Sequence, residues 1–114
     1  MTSPADPLGV VVGWVSVPDA ETGRTISDAL VAERLAACVL RVPGVESTYV
    51  WNGVACRSGE DVLVVKTTRA RWPAVMAAVR ARHPWECPLM LCVGAEDGWP
   101  AYLEWVRASV GETR

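Results

Sequence analysis

Tyr49-Val50-Trp51-Asn52-Gly53-Val54 sets an Asn-Gly pair between alternating apolar residues, and the fold is read outward from that pair. A two-residue type I′ turn needs positive φ at both central positions, which Asn and Gly adopt more readily than other residues. The segment therefore reads as the tip of a β-hairpin. Its first arm reaches back to Cys38 and is interrupted at Pro43-Gly44, where a bulge or bend is expected. Its return arm is uneven through Arg57-Ser58-Gly59 and firm at Val62-Leu63-Val64-Val65.

A similar unit lies on each side of the hairpin. Upstream, Val10-Val11-Val12-Gly13-Trp14-Val15-Ser16-Val17 is rich in β-branched residues and stops at Pro18, as a first strand should. Asp19 offers a helix N-cap, with Glu21 in the first turn where negative charge is favoured. That helix is expected to run to about Arg34, with an apolar stripe around Ile26, Leu30 and Val31. Downstream, Thr67-Thr68 reads as a cap region. Trp72, Val75, Met76 and Val79 then fall on one helical face, with Pro73 in or near the first turn and His83-Pro84 as the stop. Leu89 to Val93 reads as a fourth strand, and Trp99, Leu103, Val106 and Val110 line a last helix. The order is β-α-β-β-α-β plus a terminal helix: an α+β, ferredoxin-like antiparallel sheet. Residues 1–8 are expected to be a flexible N-terminal tail and residues 9–114 one domain.

The 114 residues are 51% hydrophobic, enough for a single core without disulfides or a structural metal. Thirteen acids against eleven bases leave a net charge of −2, with no global pull toward nucleic acid or anionic membrane. Arg69, Arg71, Arg80 and Arg82 flank the apolar stripe of the second helix in pairs, as snorkelling side chains do. No nucleic-acid partner is expected. The cysteines, Cys38, Cys56, Cys87 and Cys92, show no C-x-x-C pair and no zinc-ribbon spacing. Cys87 and Cys92, in what reads as a strand, would lie roughly 16 Å apart on opposite faces, too far for a bridge. Free thiols point to a reducing compartment. Met1 to Pro7 lacks the basic start of a signal peptide, and Leu8 to Val17 is half a membrane span. Cytoplasm is the expected location, with no membrane partner.

Strand composition adds a second expectation. Two crossover helices cover one face of such a sheet, and the other should be polar if it meets water. Instead Val10, Val12 and Trp14 point one way and Val11, Val15 and Val17 the other, and Val62–Val65 and Leu89–Val93 are apolar on both sides. The terminal helix can shield only part of the second face. An oligomer is expected, with the hairpin that carries Tyr49 and Trp51 as an arm for a neighbour.

Several stretches, in order along the chain, resemble the CutA family. They are Leu30-Val31-Ala32-Glu33-Arg34-Leu35-Ala36-Ala37-Cys38-Val39, Pro43, Ser47-x-Tyr49-x-Trp51-x-Gly53, Lys66-Thr67, His83-Pro84-Trp85-Glu86-x-Pro88 and Tyr102-Leu103-x-Trp105. The resemblance implies a ferredoxin-like homotrimer with strands of adjacent subunits pairing edge to edge. It also implies a role in tolerance of divalent cations, copper in particular, no catalytic reaction and no required cofactor. The implied trimer is similar to that of P-II-like signalling proteins, which hold small ligands between subunits. Three positions depart from the family pattern: Leu40 replaces the usual Asn, Trp85 the usual Tyr, and Leu89 the usual acid.

Candidate site residues follow from chemistry and from this resemblance together. His83, the only histidine, lies beside Glu86 and Cys87, and imidazole, carboxylate and thiolate together suit copper or zinc. The spacing is too tight for all three to converge, so a metal site of His83 and Glu86 would need another segment or subunit, such as Cys38. The structural reading of His83 is a helix terminator favoured by the dipole, and that of Cys38 is a small buried residue. Lys66, next to Thr67 and Thr68 ahead of a helix, could hold an anion, with Tyr49, Trp51 and Trp85 as further ligand-binding candidates. Two alternatives to the metal-responsive trimer are a P-II-like sensor of an anionic metabolite and a trimeric scaffold for an unidentified protein. No enzyme is expected, because a single His and no glycine-rich phosphate loop give neither a nucleophile–base pair nor a nucleotide cradle.

Overall fold

Strand β1 (Val10–Val17) leads through α1 (Ala20–Ala32) into a hairpin of two long strands, β2 (Cys38–Trp51) and β3 (Val54–Thr68). Helix α2 (Trp72–Arg82), β4 (Met90–Gly94) and α3 (Pro100–Ser109) complete the order, in a computed structural model that describes residues 6–112. The four strands form one antiparallel sheet in the order β2-β3-β1-β4. This is the ferredoxin-like α+β arrangement expected from the sequence.

The hairpin turns at Asn52 (φ 51°) and Gly53 (φ 78°), the two positive φ angles of a type I′ turn. The expected irregularity at Pro43-Gly44 is a bulge: the β2–β3 register slips between Val42, paired with Val62, and Val45, paired with Glu60. Gly44 sits there at φ 70°, a conformation that disfavours side chains.

Alternation along the strands decides which face each side chain joins. Val11, Val15 and Val17 of β1, with Leu63 and Val65 of β3, are fully buried against Ile26 and Leu30 of α1 and Val75 and Val79 of α2. Each such aliphatic side chain contributes roughly 1.5–3 kcal/mol through burial. On the opposite face Val12, Trp14, Val62 and Val64 are only half-buried, and Leu40, Val42, Leu91 and Val93 are exposed by 44–52%. Helix α3 closes one end of that face. The register partners Val10 and Thr68 are buried there, and Arg107 donates from Nε to the Leu8 carbonyl at 2.9 Å. The rest of the face is open.

Three details differ from the sequence reading. Thr67 and Thr68 belong to β3, drawn in by pairing with Val11 and Val10, and α2 begins after Arg71 without a side-chain cap. β4 starts at Met90, so Cys87 lies in the turn before it. Val31 is exposed, leaving Gly23, Ile26 and Leu30 as the buried stripe of α1. Residues 1–5 of the expected tail lie outside the described residues, while the Pro7 carbonyl accepts from the Ala70 N–H at 3.0 Å.

Two measurements test this packing. A Cβ on Gly13 would overlap the six-membered ring of Trp72. Gly13→Ala should therefore cost about 1–3 kcal/mol in chemical denaturation, and in combination with Trp72→Leu the two losses should sum to more than the double variant shows. Asp19 accepts the Thr22 N–H at 2.8 Å, which holds its carboxyl below the ordinary carboxylate value. Its stabilisation is present above the unfolded-state pKa and lost as pH falls through the folded one. Asp19→Ala should lower the melting temperature at neutral pH, and the difference from the parent should shrink in acid.

Candidate functional site

The part of the hairpin beyond the Gly44 bulge and the segment between α2 and β4 face one another across an open cleft of about 840 Å³. Ser47, Thr48, Tyr49, Trp51 and Glu60 come from the hairpin. Pro84, Trp85, Glu86, Cys87, Pro88 and Leu89 form the opposite wall, and Ser16 of β1 lies at the junction. Of the residues expected to bind, Tyr49, Trp51, Trp85 and Glu86 therefore come together.

His83 stands behind the cleft rather than in it. It is buried, and Nε2–H donates to the Ser16 carbonyl at 2.6 Å, while Nδ1 accepts the Trp85 N–H at 3.1 Å. A carbonyl can only accept and an amide N–H can only donate, so the bonds fix the tautomer and occupy both ring nitrogens. The imidazole that looked like a metal ligand thus has no free lone pair. It holds the cleft wall to the central strand. Ser16 completes the tie: its hydroxyl accepts the Leu89 N–H at 3.3 Å. The Trp85 ring rests at 5.1 Å from the His83 ring, tilted by 51°.

The other candidates lie elsewhere. Cys38 pairs in register with Lys66, which pairs with Val12. Val12 is four residues from Ser16, about 13 Å along β1, so Cys38 does not join His83 and Glu86 within one chain. Lys66 and Thr67 diverge because strand neighbours point to opposite faces. Thr67 donates to the Leu35 carbonyl at 2.6 Å, whereas the Lys66 ammonium lies 5.7 Å from the Tyr102 ring centroid. Among the described residues, no three His, Cys, Asp or Glu side chains are grouped to hold a metal ion. Cys87 is exposed in the cleft wall, whereas burial pushes the Cys92 thiol up, opposed by the charge of Arg69.

Charge in the cleft is one-signed. Its ionisable carboxylates are Glu60, which accepts from the Ser47 hydroxyl, and Glu86. Asp61, adjacent to Glu60, turns to the other face and pairs with Arg41 at 2.9 Å. The arginines of α2 are directed inward to their own chain: Arg80 to the Trp85 carbonyl at 2.5 Å, and Arg82 to Glu33 at 3.2 Å. Arg71, just before the helix, reaches Glu112 at 3.3 Å. No helix among the described residues is long and apolar enough to cross a membrane.

Ser16, Ser47 and Glu60 were not among the binding residues expected from sequence, Ser47 entering only as part of the family-like stretch through Tyr49 and Trp51. Ser16 gave one faint signal, a hydroxyl residue inside a Val-rich strand; the bonds it makes lie 67 and 73 residues away.

The sequence pattern of the CutA1 divalent ion tolerance protein family matches residues 11–109. The chain is 42% identical over 97 residues to the divalent-cation tolerance protein CutA of Thermus thermophilus, covering 85% of this chain and 94% of that one. It is 34% identical to the chloroplastic protein CutA 1 of rice, covering 99% of this chain but 64% of the longer relative. The fold superposes on the crystal structure of CutA from Xylella fastidiosa with a TM-score of 0.87 at 35% identity, over 90% of this chain and 98% of that one. The Thermus thermophilus structure also gives 0.87, at 41% identity over 90% and 99%.

If His83 braces the cleft wall, His83→Ala should destabilise the chain by about 2–3 kcal/mol, because the buried Ser16 carbonyl loses its partner. Amide exchange at Trp85 and Leu89 should rise more than exchange in α1. A variant with parental stability and unchanged exchange would remove this role.

Proposed function

The chain belongs to the CutA1 divalent ion tolerance protein family, and from that premise we propose that it works as a homotrimer that binds and does not catalyse. Its ligand on this reading is a divalent cation such as copper, held weakly at the cleft beside Glu86. The observation that carries the oligomer is the open apolar face. Leu40, Val42, Leu91 and Val93 are exposed on one side of a sheet whose other side is fully packed. Val50, Trp51 and Val54 extend the exposed apolar surface along the hairpin. A monomer would leave this surface in water, and neighbouring copies cover it without any new element.

Support for cation binding is electrostatic. Glu60 and Glu86 give the cleft a negative wall, and the Cys87 thiol adds a soft donor that suits copper. His83 enters the proposal as the brace of that wall. Cys38 enters as a donor only from a neighbouring copy, because within one chain it is too distant. The non-catalytic part rests on the same imidazole, since the one histidine is already committed to the Ser16 carbonyl and the Trp85 N–H. Four free cysteines support a reducing compartment, and we place the chain in the cytoplasm.

Sedimentation equilibrium should give three times the 12.3 kDa chain mass, and Leu91→Glu with Val93→Glu should abolish that assembly. A well-folded single chain at micromolar concentration would end the trimer proposal. Calorimetric titration with copper should give saturable heat, weakened about tenfold in Glu86→Gln. Equal heats in parent and variant would remove the cleft as the cation site.

A further inference from the structure

The open side of the sheet carries little charge, and what it carries is unmatched. Along β3 the side chains of Glu60, Val62, Val64 and Lys66 share that side, since strand residues two apart point the same way. The strands beside them add no charge to it: β1 and β4 hold no Asp, Glu, Lys or Arg, and in β2 the charged residues turn away. Arg41 goes to Asp61 and Glu46 to Arg57, at 2.9 Å and 3.6 Å. Glu60 and Lys66 are therefore the one acid and the one base that the described strands present there. Neither has a counter-charge in its own chain. Glu60 accepts from the neutral hydroxyl of Ser47, and Lys66 lies 5.7 Å from the Tyr102 ring centroid; among the described residues neither makes an ion pair. Their positions on one strand are about 20 Å apart, well beyond the screening length of about 8 Å in physiological salt.

We propose that the Lys66 ammonium of each copy pairs with the Glu60 carboxylate of the next, so that the cleft is completed by a residue from a neighbouring subunit. The inference rests on the trimer reading above and names the contact that orients one copy against another. Covering the open face takes both charges out of water. A carboxylate or an ammonium buried alone is costly, whereas one that meets its opposite is compensated. Separation excludes that meeting within a chain. Between copies it requires only that the positive end of one face reach the negative end of the next. A head-to-tail ring brings two different patches together at every contact, so each chain gives one ammonium and receives one. The apolar rows between Glu60 and Lys66 supply area, but such packing is non-directional; opposite charges at the two ends fix the register. No Lys, Arg or His side chain lines the cleft. The bases beside it, Arg57 and Arg80, already reach Glu46 and the Trp85 carbonyl, which leaves the neighbour's Lys66 to answer Glu60. Cys38 is the register partner of Lys66, so the same contact carries that thiol toward the neighbour's cleft. Glu86 keeps its charge for the cation.

The test is sedimentation equilibrium on the intact protein, with urea added in steps to bring assembly into range and circular dichroism to follow the fold of each chain. Lys66→Met keeps the length of the side chain and removes its charge. It should raise the chain concentration needed for half assembly at least about tenfold, and Lys66→Glu, which sets two carboxylates together, should raise it further. Lys66→Glu combined with Glu60→Lys restores the pair with its signs exchanged and should return assembly to within about tenfold of the parent. That recovery cannot arise inside one chain, where the two positions are too far apart, and it separates the pair from a general loss of folding. Lys66→Glu with Glu86→Lys should not recover, and Arg24→Glu on the exposed face of α1 should assemble like the parent. Parental assembly of Lys66→Met, failure of the exchanged pair to recover, or recovery with Glu86→Lys instead would each overturn the inference and leave the trimer standing. A parent protein that sediments as a single folded chain would end both.

Discussion

Two helices can cover one face of a four-stranded sheet, and among the described residues nothing covers the whole of the other. That constraint shapes the rest of the molecule. On the covered face Val11, Val15, Leu63 and Val65 meet Ile26, Leu30, Val75 and Val79 and are wholly withdrawn from water. On the other face α3 reaches only one end, so Leu40, Val42, Leu91 and Val93 remain exposed although they are as apolar as their buried neighbours. A sheet built this way is half a core on one side, and its composition is explained only if something apolar arrives there.

The site depends on the same geometry at one remove. β1 is an interior strand, paired on both sides, and its least apolar residue, Ser16, is where the segment from α2 to β4 is tied down. A single imidazole joins the Ser16 carbonyl to the Trp85 amide, so the cleft wall inherits the rigidity of the sheet centre. The opposite wall is different in kind. Beyond the bulge it is a two-stranded ribbon whose aromatic residues are exposed and whose position is set by the bend at Gly44.

Much of the fold was legible because it is written in periodicity and turn chemistry. Asn52-Gly53, the Pro43-Gly44 interruption, the Asp19 cap and the Trp72-Val75-Val79 stripe each act locally, and each appears where the residues put it. The errors came where a distant partner overrode a local preference. Thr67 and Thr68 look like a helix cap in isolation, but Val11 and Val10 extend the ladder through them. The site was less legible for a related reason. His83 reads as a ligand by residue type, and only the backbone atoms of Ser16 and Trp85, which carry no sequence signature, show it to be a strut. Lys66 and Thr67 were grouped by adjacency, although in a strand adjacency means opposite faces.

The bulge at Val42/Val45 divides the hairpin into two zones with different obligations. Below it, each residue is answerable to the helices, the neighbouring strand or both. Above it, Val45 through Glu60 pair in register with each other across the ribbon. Two residues added to or removed from each strand would move the tip by about 7 Å and keep every side chain on its face, with the body of the domain untouched. The reach of the arm, and with it the depth of the cleft and the span to a neighbouring molecule, can therefore be re-cut in evolution or by design without renegotiating the core.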